Sequence, residues 1–446
     1  MSELPRLFSS GGPVGLQAHI ERYGPLPLTT GPGAAQELIG SVERAGLTGR
    51  GGAGFPTARK MRAVAGRPGR GGAAVVVANG VESEPASGKD AMLLSQSPHL
   101  VLDGIAAAAA AVGASEAYLC LDGSHPQRAK PLSAAIADRA AAGMGKVPVK
   151  LVAFPGRYVA SEESALVNFL NGGPAVPVYT PPRPFERGVR GRPTLVSNVE
   201  TLANLALVSR QGADWFRLAG TASAPGTALV TVSGAARHPG VYEIAFGTPV
   251  RDVLALAGGG GEIGGVQAVL AGGYFGSWLP GGAALGTPAA PDALRAAGAS
   301  FGAGIFLVLP AHGCGLAETA RVVRYLAGQG AGQCGPCVNG LPAIADALEQ
   351  VAFGAGDGGR GAHGHALRWL RDLFGLVEGR GACHLPDGVA RLAASALRVF
   401  ADDVRRHERG PCLAARGHPV FTVPSGPAPA AGPALTATAR AREARA

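Results

Sequence analysis

Three stretches of this 446-residue chain carry residue types and spacings that could do chemistry. The first is Gly49-Arg50-Gly51-Gly52-Ala53-Gly54-Phe55-Pro56-Thr57-Ala58-Arg59-Lys60. Glycines let backbone N–H groups approach an anion closely because no Cβ blocks the concavity. Arg59 and Lys60 would add side-chain charge to that cradle. The second stretch, Arg157 to Leu166, holds the carboxylate pair Glu162-Glu163. Two adjacent acids opening a helix also make an ordinary favourable first turn. The third is Cys334-Gly335-Pro336-Cys337, with Cys314 before it and Cys383 after it. Five of the six cysteines fall at or beyond position 314, a clustering that suits a metal site in a reduced protein better than a disulfide framework.

The elements around these stretches decide how they are read. Gly49, Gly51 and Gly54 satisfy G-x-G-x-x-G, but a dinucleotide fingerprint needs a strand before the glycines and a helix after them. Here a helical pattern, Ala34 to Ala45, precedes the glycines, and the convincing strand, Ala73 to Ala78, comes later. That strand runs into Asn79-Gly80-Val81-Glu82-Ser83-Glu84-Pro85. Helical periodicity follows to Leu94 and again from Leu100 to Val112. A buried strand at Ala117–Leu121, a helix near 129–142 and a strand at 147–152 complete an alternating β/α pattern. Cys120 lies inside the apolar strand, where a core thiol is expected. Composition turns loop-like near 221–226, alternation resumes at Leu229 to Ser233, and Ile305 to Leu309 reads as a strand. After Cys337 the apolar face Leu341, Ile344, Ala345 and Leu348 marks a helix, and a last helix is expected over 389–404.

Composition closes off several classes. The 70 glycines lack a collagen-like period. The +9 formal charge is scattered, with no basic run interleaved with aromatics, so nucleic-acid binding is not expected. No apolar run approaches the ~18 residues of a membrane span, so direct membrane insertion is not expected either. No signal peptide is evident. A cytoplasmic protein is expected, associated with a membrane-bound complex only through partners.

The string GRGGAGFPTARK resembles the flavin-phosphate loop of the NADH-binding flavoprotein subunit of respiratory complex I, a subunit type shared with soluble hydrogenases and formate dehydrogenases. Further matches continue in the same order from about Gly31 to Arg406. Tyr158 to Leu166 is similar to the family's Y-I-C-G-E-E-T-A-L, with Ser161 in place of glycine. Pro193 to Thr201 is similar to P-T-x-V-N-N-V-E-T, with Ser197 in place of the first asparagine and Asn198 kept. Asn79 to Pro85 is similar to N-A-D-E-x-E-P, with Val81 in place of aspartate. Thr180-Pro181-Pro182-Arg183 stands where the family has K-P-P-F, whose lysine holds phosphate and whose phenylalanine stacks adenine. Cys334, Cys337 and Cys383 match three of the family's cluster ligands, and the first ligand aligns with Ala331.

The resemblance implies an α/β fold: a Rossmann-like FMN-binding domain over 31–220, a small β-grasp (soluble-ligand-binding-like) domain over 225–310, and a helical [4Fe–4S]-binding bundle over 311–407. An arm over 1–30 would be loosely structured, and an Ala/Pro-rich tail over 408–446 disordered. By the same resemblance Gly49, Arg50, Gly51, Gly52, Gly54 and Lys60 would hold the FMN phosphate. Asn79, Glu82, Ser83, Ser161, Glu162, Ser197 and Asn198 would border its ribityl chain and ring. Phe55, Glu84 and Glu163 would shape the nicotinamide pocket. Cys334, Cys337 and Cys383 would bind a [4Fe–4S] cluster with Cys314 as fourth ligand, His384 and Cys412 being the alternatives; tetrahedral zinc is another use of such ligands. The implied activity is that of an oxidoreductase passing electrons between NAD(P)H and a ferredoxin or partner redox subunit. The rival readings are a carrier fed by ferredoxin alone and a redox-inactive scaffold.

Overall fold

The structure is a computed structural model that describes residues 4–8, 12–28, 31–67, 72–258, 265–354 and 359–424. Its first layer is a four-stranded parallel sheet of β1 (Ala74–Gly80), β2 (Ala114–Asp122), β3 (Val149–Phe154) and β4 (Thr194–Asn198), in the order β3-β2-β1-β4. β1 is apolar in consecutive positions because both its faces are covered. Val76 and Ala78 face a core shared with helices, whereas Val75 and Val77 face Phe154, Phe169 and Val196. The helices of this unit are α1 (Leu16–Tyr23), α2 (Ala34–Ala45), α3 (Thr57–Ala65), α4 (Lys89–Gln96), α5 (Pro98–Val112), α6 (Ala129–Ala141), α7 (Glu163–Leu170) and α8 (Val199–Arg217). α5 and α8 cross so closely that a Cβ on Gly104 would lie 1.9 Å from the Leu202 carbonyl oxygen. Only glycine fits that crossing.

The second sheet is mixed: β5 (Thr227–Gly234), β6 (Gly240–Ala245), β7 (Val266–Ala271), β8 (Ser277–Pro280) and β9 (Ile305–Pro310), in the order β6-β5-β9-β7-β8. Only β5–β9 pair in parallel. Short helices α9 (Val250–Leu256), α10 (Gly281–Gly286) and α11 (Pro291–Ala296) complete the unit. Alternation along β9 divides its side chains between two cores: Phe306 and Val308 pack with α9, whereas Ile305, Leu307 and Leu309 meet the C-terminal helices. Those helices are α12 (Gly315–Gly328), α13 (Leu341–Phe353), α14 (Gly359–Val377), α15 (Leu385–Val399), α16 (Ala401–His407) and α17 (Leu413–Arg416). The single helix expected over 389–404 is instead α15 and α16, parted at Phe400, whose ring packs on Trp278. Among the described residues no helix is long and apolar enough to cross a membrane.

Both chain ends depart from expectation. The arm is packed rather than loose: Leu7 is fully buried, and the Arg6 and Leu7 N–H groups each donate to the Glu243 carboxylate at 2.8 Å. His19 on α1 meets the buried Asp103 at 2.6 Å, where Arg139 and Arg210 also converge. The expected disordered tail is ordered at least to 424. Val420 and Phe421 donate backbone N–H groups to Glu318 at 3.0 and 3.1 Å, and the Phe421 ring stacks on Trp278. Residues 425–446 lie outside the described residues.

Candidate functional site

The order β3-β2-β1-β4 reverses direction between β1 and β4, and such a switch point opens a crevice at the carboxyl ends of the two strands. Asn79 and Asn198 occupy those ends directly opposite each other, as do Ala78 and Ser197 one residue earlier. The glycine stretch reaches this point from far earlier in the chain. It forms a loop closed by Gly49 N–H to the Phe55 carbonyl at 2.9 Å, with Gly52 and Gly54 at φ of 111° and 62°. Those positive angles are costly for residues with a Cβ. A Cβ on Gly51 would lie 3.3 Å from Asn198 Cβ, so the loop rests against the switch point itself.

A flavin phosphate needs unpartnered donors at such a loop, and they are present. Among the described residues, the N–H groups of Gly51, Gly52, Ala53 and Gly54 have no protein acceptor. Lys60, on the first turn of α3, pairs with Glu163 at the start of α7, Nζ to Oε2 at 2.6 Å. Asn79 gives one amide hydrogen to the Ser161 carbonyl at 2.9 Å and keeps the other. The Ser197 hydroxyl has no partner among the described residues. Phe55 stands at the lip, 48% exposed, with the Arg59 guanidinium 5.5 Å from its ring centre.

Several expected ligands already have protein partners. Arg50 turns into the junction with the second sheet. Its N–H donates to Thr201 Oγ1 at 2.8 Å and its guanidinium stacks 4.5 Å from Phe246, where burial pushes its pKa down to about 10, partly offset by Glu200. Glu82 caps α4, accepting from the N–H groups of Asp90 and Ala91 at 3.0 and 2.9 Å and from Ser87 Oγ at 2.6 Å. Glu162 caps α7 through the Ser164 and Ala165 N–H groups, which is the first-turn role its position also suggested. Ser83 donates to the Tyr158 carbonyl at 2.6 Å and meets the Ser161 hydroxyl. Asn198 uses both amide hydrogens, on Asp90 and the Asn79 carbonyl, while its oxygen caps α8. These residues build the crevice wall. One wall residue escaped the sequence reading: Lys89 is buried between Asp90 and Glu200, at 2.8 and 2.9 Å. Nothing local marks it, since Glu200 is far away in sequence.

Glu84 lies where the three units meet. Tyr158 Oη donates to its Oε2 at 2.7 Å and the Tyr274 N–H at 3.2 Å, while Oε1 is buried without a partner. Burial raises its pKa to about 7, the Tyr158 and backbone hydrogen bonds opposing the shift. Unfolded, the group titrates near 4.5. Between about pH 4.5 and 7 the folded chain therefore holds a proton that the unfolded chain has released, so stability falls as pH rises through that window. The full effect is on the order of 3 kcal/mol above pH 7. Glu84→Gln stays neutral and should be more stable than the parent at pH 8 but equal to it near pH 4.5, as read by urea midpoints. An equal loss at both values would show that packing, not ionisation, governs the site.

The cysteines follow the same loop. Arg157 Nη2 donates to the Gly330 carbonyl, and the Tyr158 N–H donates to Gln329 Oε1 at 3.1 Å. Gly332 N–H donates to Cys337 Sγ at 3.3 Å, and a Cβ on Gly330 would lie only 2.4 Å from that sulfur. Cys334 and Cys337 open a π-helical turn, Pro336–Gly340, that leads into α13. The Cys383 thiol is raised first by burial and then by the charges of Cys337, Glu162 and Cys334, which places the three sulfurs in one neighbourhood beside the flavin-side loop. Three thiols with an N–H donor to one sulfur suit a cluster. Cys314 does not join them. It caps the opposite end of α12, a 14-residue helix, and so stands about 21 Å from the Cys334 end. His384 turns outward, 93% exposed and paired with Asp387. Cys412 sits beside Cys314 instead.

Comparison with known proteins agrees with this layout. Residues 42–207 match the family described as the Nuo51 FMN-binding domain, 229–273 the SLBB domain, and 317–407 the NADH-ubiquinone oxidoreductase-F iron-sulfur binding region. The F subunit of NADH-quinone oxidoreductase from Streptomyces coelicolor is 31% identical over 394 residues, covering 84% of each chain. Its Escherichia coli counterpart is 31% identical over 386 residues, covering 82% of this chain and 83% of its own. A crystal structure of an NAD+-reducing [NiFe]-hydrogenase in the H2-reduced state superposes with a TM-score of 0.76 at 30% identity. That match covers 88% of this chain but 64% of the hydrogenase chain.

Proposed function

The chain belongs to the family of the NADH-quinone oxidoreductase F subunit, and from that premise we propose that it passes electrons from NAD(P)H through FMN and an iron–sulfur cluster to a one-electron carrier. One observation carries the reading: the loop from Arg157 to Glu163 borders both the switch-point crevice and the cysteine triad. Its Ser161 carbonyl holds Asn79 and its Glu163 meets Lys60, while Arg157 and Tyr158 grip Gly330 and Gln329 next to Cys337. FMN, when bound, supplies the conversion between two-electron donors and one-electron acceptors, and the protein's part is placement and electrostatics.

In this reading the free N–H groups of Gly51 to Gly54 and the Lys60 ammonium bind the phosphate. The remaining Asn79 amide hydrogen and the Ser197 hydroxyl face the ribityl chain and ring. Glu163 and the exposed Phe55 ring line the donor's approach. Glu84 acts from behind, orienting Tyr158. Cys334, Cys337 and Cys383 hold three irons, and Ala331 leaves the fourth without a cysteine. A ferredoxin or a partner redox subunit accepts the electrons, and the +9 charge favours an acidic one.

A second reading, entry of electrons from a reduced carrier alone, has one observation behind it. Arg183 is exposed, with its backbone N–H donating to Glu186 at 3.0 Å, and it puts a guanidinium where a ring would stack the nucleotide base. Losing a phosphate-binding lysine and a stacking ring weakens NADH binding roughly tenfold to a hundredfold, about 1 kcal/mol or more for each contact. Anaerobically purified protein should be yellow-brown, and NADH or NADPH should bleach its flavin absorbance. Thr180→Lys with Arg183→Phe should then lower the KM for NADH by that factor. Bleaching by reduced ferredoxin and not by either nicotinamide selects the second reading, and a colourless protein overturns both.

A further inference from the structure

We propose that Cys314, His407 and Cys412 form a second metal site, for a zinc-class cation, that clasps the segment after the helical bundle onto it. The three residues come from separate elements: the N-cap of α12, the last residue of α16, and the residue that leads into α17. Their ligand atoms all lie within 4.8 Å of one another, and Cys314 Sγ is 3.8 Å from His407 Nε2. Tetrahedral zinc, with bonds of about 2.3 Å to sulfur and 2.05 Å to nitrogen, sets its sulfur and nitrogen ligands about 3.6 Å apart. The observed spacing thus needs only a small contraction.

The imidazole is arranged as a ligand. Nε2 is unprotonated on the Cys412 side, since it accepts the Cys412 N–H over a long 3.4 Å, and a bound metal would take the place of that weak hydrogen bond. Nδ1 is buried without a hydrogen-bond partner, and the Val351 and Ala352 carbonyls lie close enough to favour a proton on the ring. Cys314 and His407 are 3% and 1% exposed. Asp403 precedes His407 by four residues on α16, and its charge is felt at both Cys314 and His407. Residues so spaced share a helix face, but Asp403 lies outside the 4.8 Å group and pairs with Arg406 at 2.9 Å, so water is the fourth ligand unless this carboxylate swings in. Soft thiolates with imidazole select zinc over magnesium or calcium.

This site is distinct from the cysteine triad. It lies at the far end of α12, and both of its cysteines fall outside the matched iron–sulfur region, residues 317–407. Closing it joins the start of the bundle to the segment just past its end. Beyond Cys412 that segment depends on α17, on the Glu318 carboxylate and on Phe421 for its contacts.

The test uses the full chain, purified anaerobically, loaded with Zn2+ and dialysed. Metal analysis should find one tightly held zinc that Cys412→Ser and Cys314→Ser each lose, with iron and FMN unchanged. Affinity in either variant should fall on the order of a hundredfold or more. In the parent, Cys314 and Cys412 should resist alkylation until a chelator is added, and limited proteolysis should then cut within 408–424. Cys412→Ser alters a partly exposed residue outside the bundle core, so it remains informative if Cys314→Ser misfolds. Zinc retained in both variants, no zinc held by the parent, or a Cys314–Cys412 disulfide in the mass spectrum would each overturn the proposal.

Discussion

Gly51→Val should leave the protein folded and without FMN. At Gly51 an added Cβ meets Asn198 Cβ at 3.3 Å, closer than most side chains pack. Valine brings two further methyl groups. Asn198 cannot yield, because its amide holds Asp90 at 2.7 Å and caps α8 through the Glu200 N–H at 3.0 Å. The added bulk must therefore go toward the concavity, displacing the loop whose N–H groups are free. Hydrogen bonds to a charged acceptor contribute about 1.5–3 kcal/mol each, and losing two of them weakens binding by roughly two to four orders of magnitude. The measurement is the FMN-to-protein ratio after gel filtration, with the dissociation constant from flavin fluorescence and far-UV circular dichroism to establish folding. Stoichiometric FMN with parental quenching would remove the loop from the flavin site.

Cys337→Ser should abolish the cluster, whereas Cys314→Ser should keep its full iron content. Cys337 is buried, accepts the Gly332 N–H, and lies so close to Gly330 that a Cβ there would sit 2.4 Å from its sulfur. A serine hydroxyl is a poor replacement, since cluster irons are held by thiolates. Three cysteines already leave one iron without a protein thiolate, so losing another should drop iron and sulfide to background rather than to an intermediate value. Cys314, at the other end of α12, cannot reach the cluster without unwinding that helix. Iron, sulfide and EPR on anaerobically reconstituted variants decide the matter, with Cys120→Ser, a buried strand residue, as control. A loss of iron in Cys314→Ser equal to that in Cys337→Ser would mean that the two ends of the bundle meet in the holoprotein.

Much of the chemistry was legible in linear order because it rests on local properties. Glycine permits the φ of 111° and 62° that the loop adopts. Continuous apolar runs mark β1 and β9, an apolar run long enough for a buried helix marks α5, and a 3.6-residue period marks α2 and α13. The pair Cys334 and Cys337, three apart at a helix start, is likewise a local signal. What the amino-acid order alone determined was therefore the kind of element at each place and which residue types were on offer. Tertiary structure decided which of them remained free to act. Arg50, Glu82 and Asn198 have the right chemistry for a ligand site, yet Phe246, the start of α4 and Asp90 hold them as scaffold. Cys314 lies only 20 positions before Cys334 in sequence, yet helix α12 keeps it away from the triad and brings it to His407 and Cys412. The physical reason is that a donor or acceptor has few valences and takes whichever partner the fold brings within about 3 Å. That partner is commonly a hundred residues away, where no local pattern records it.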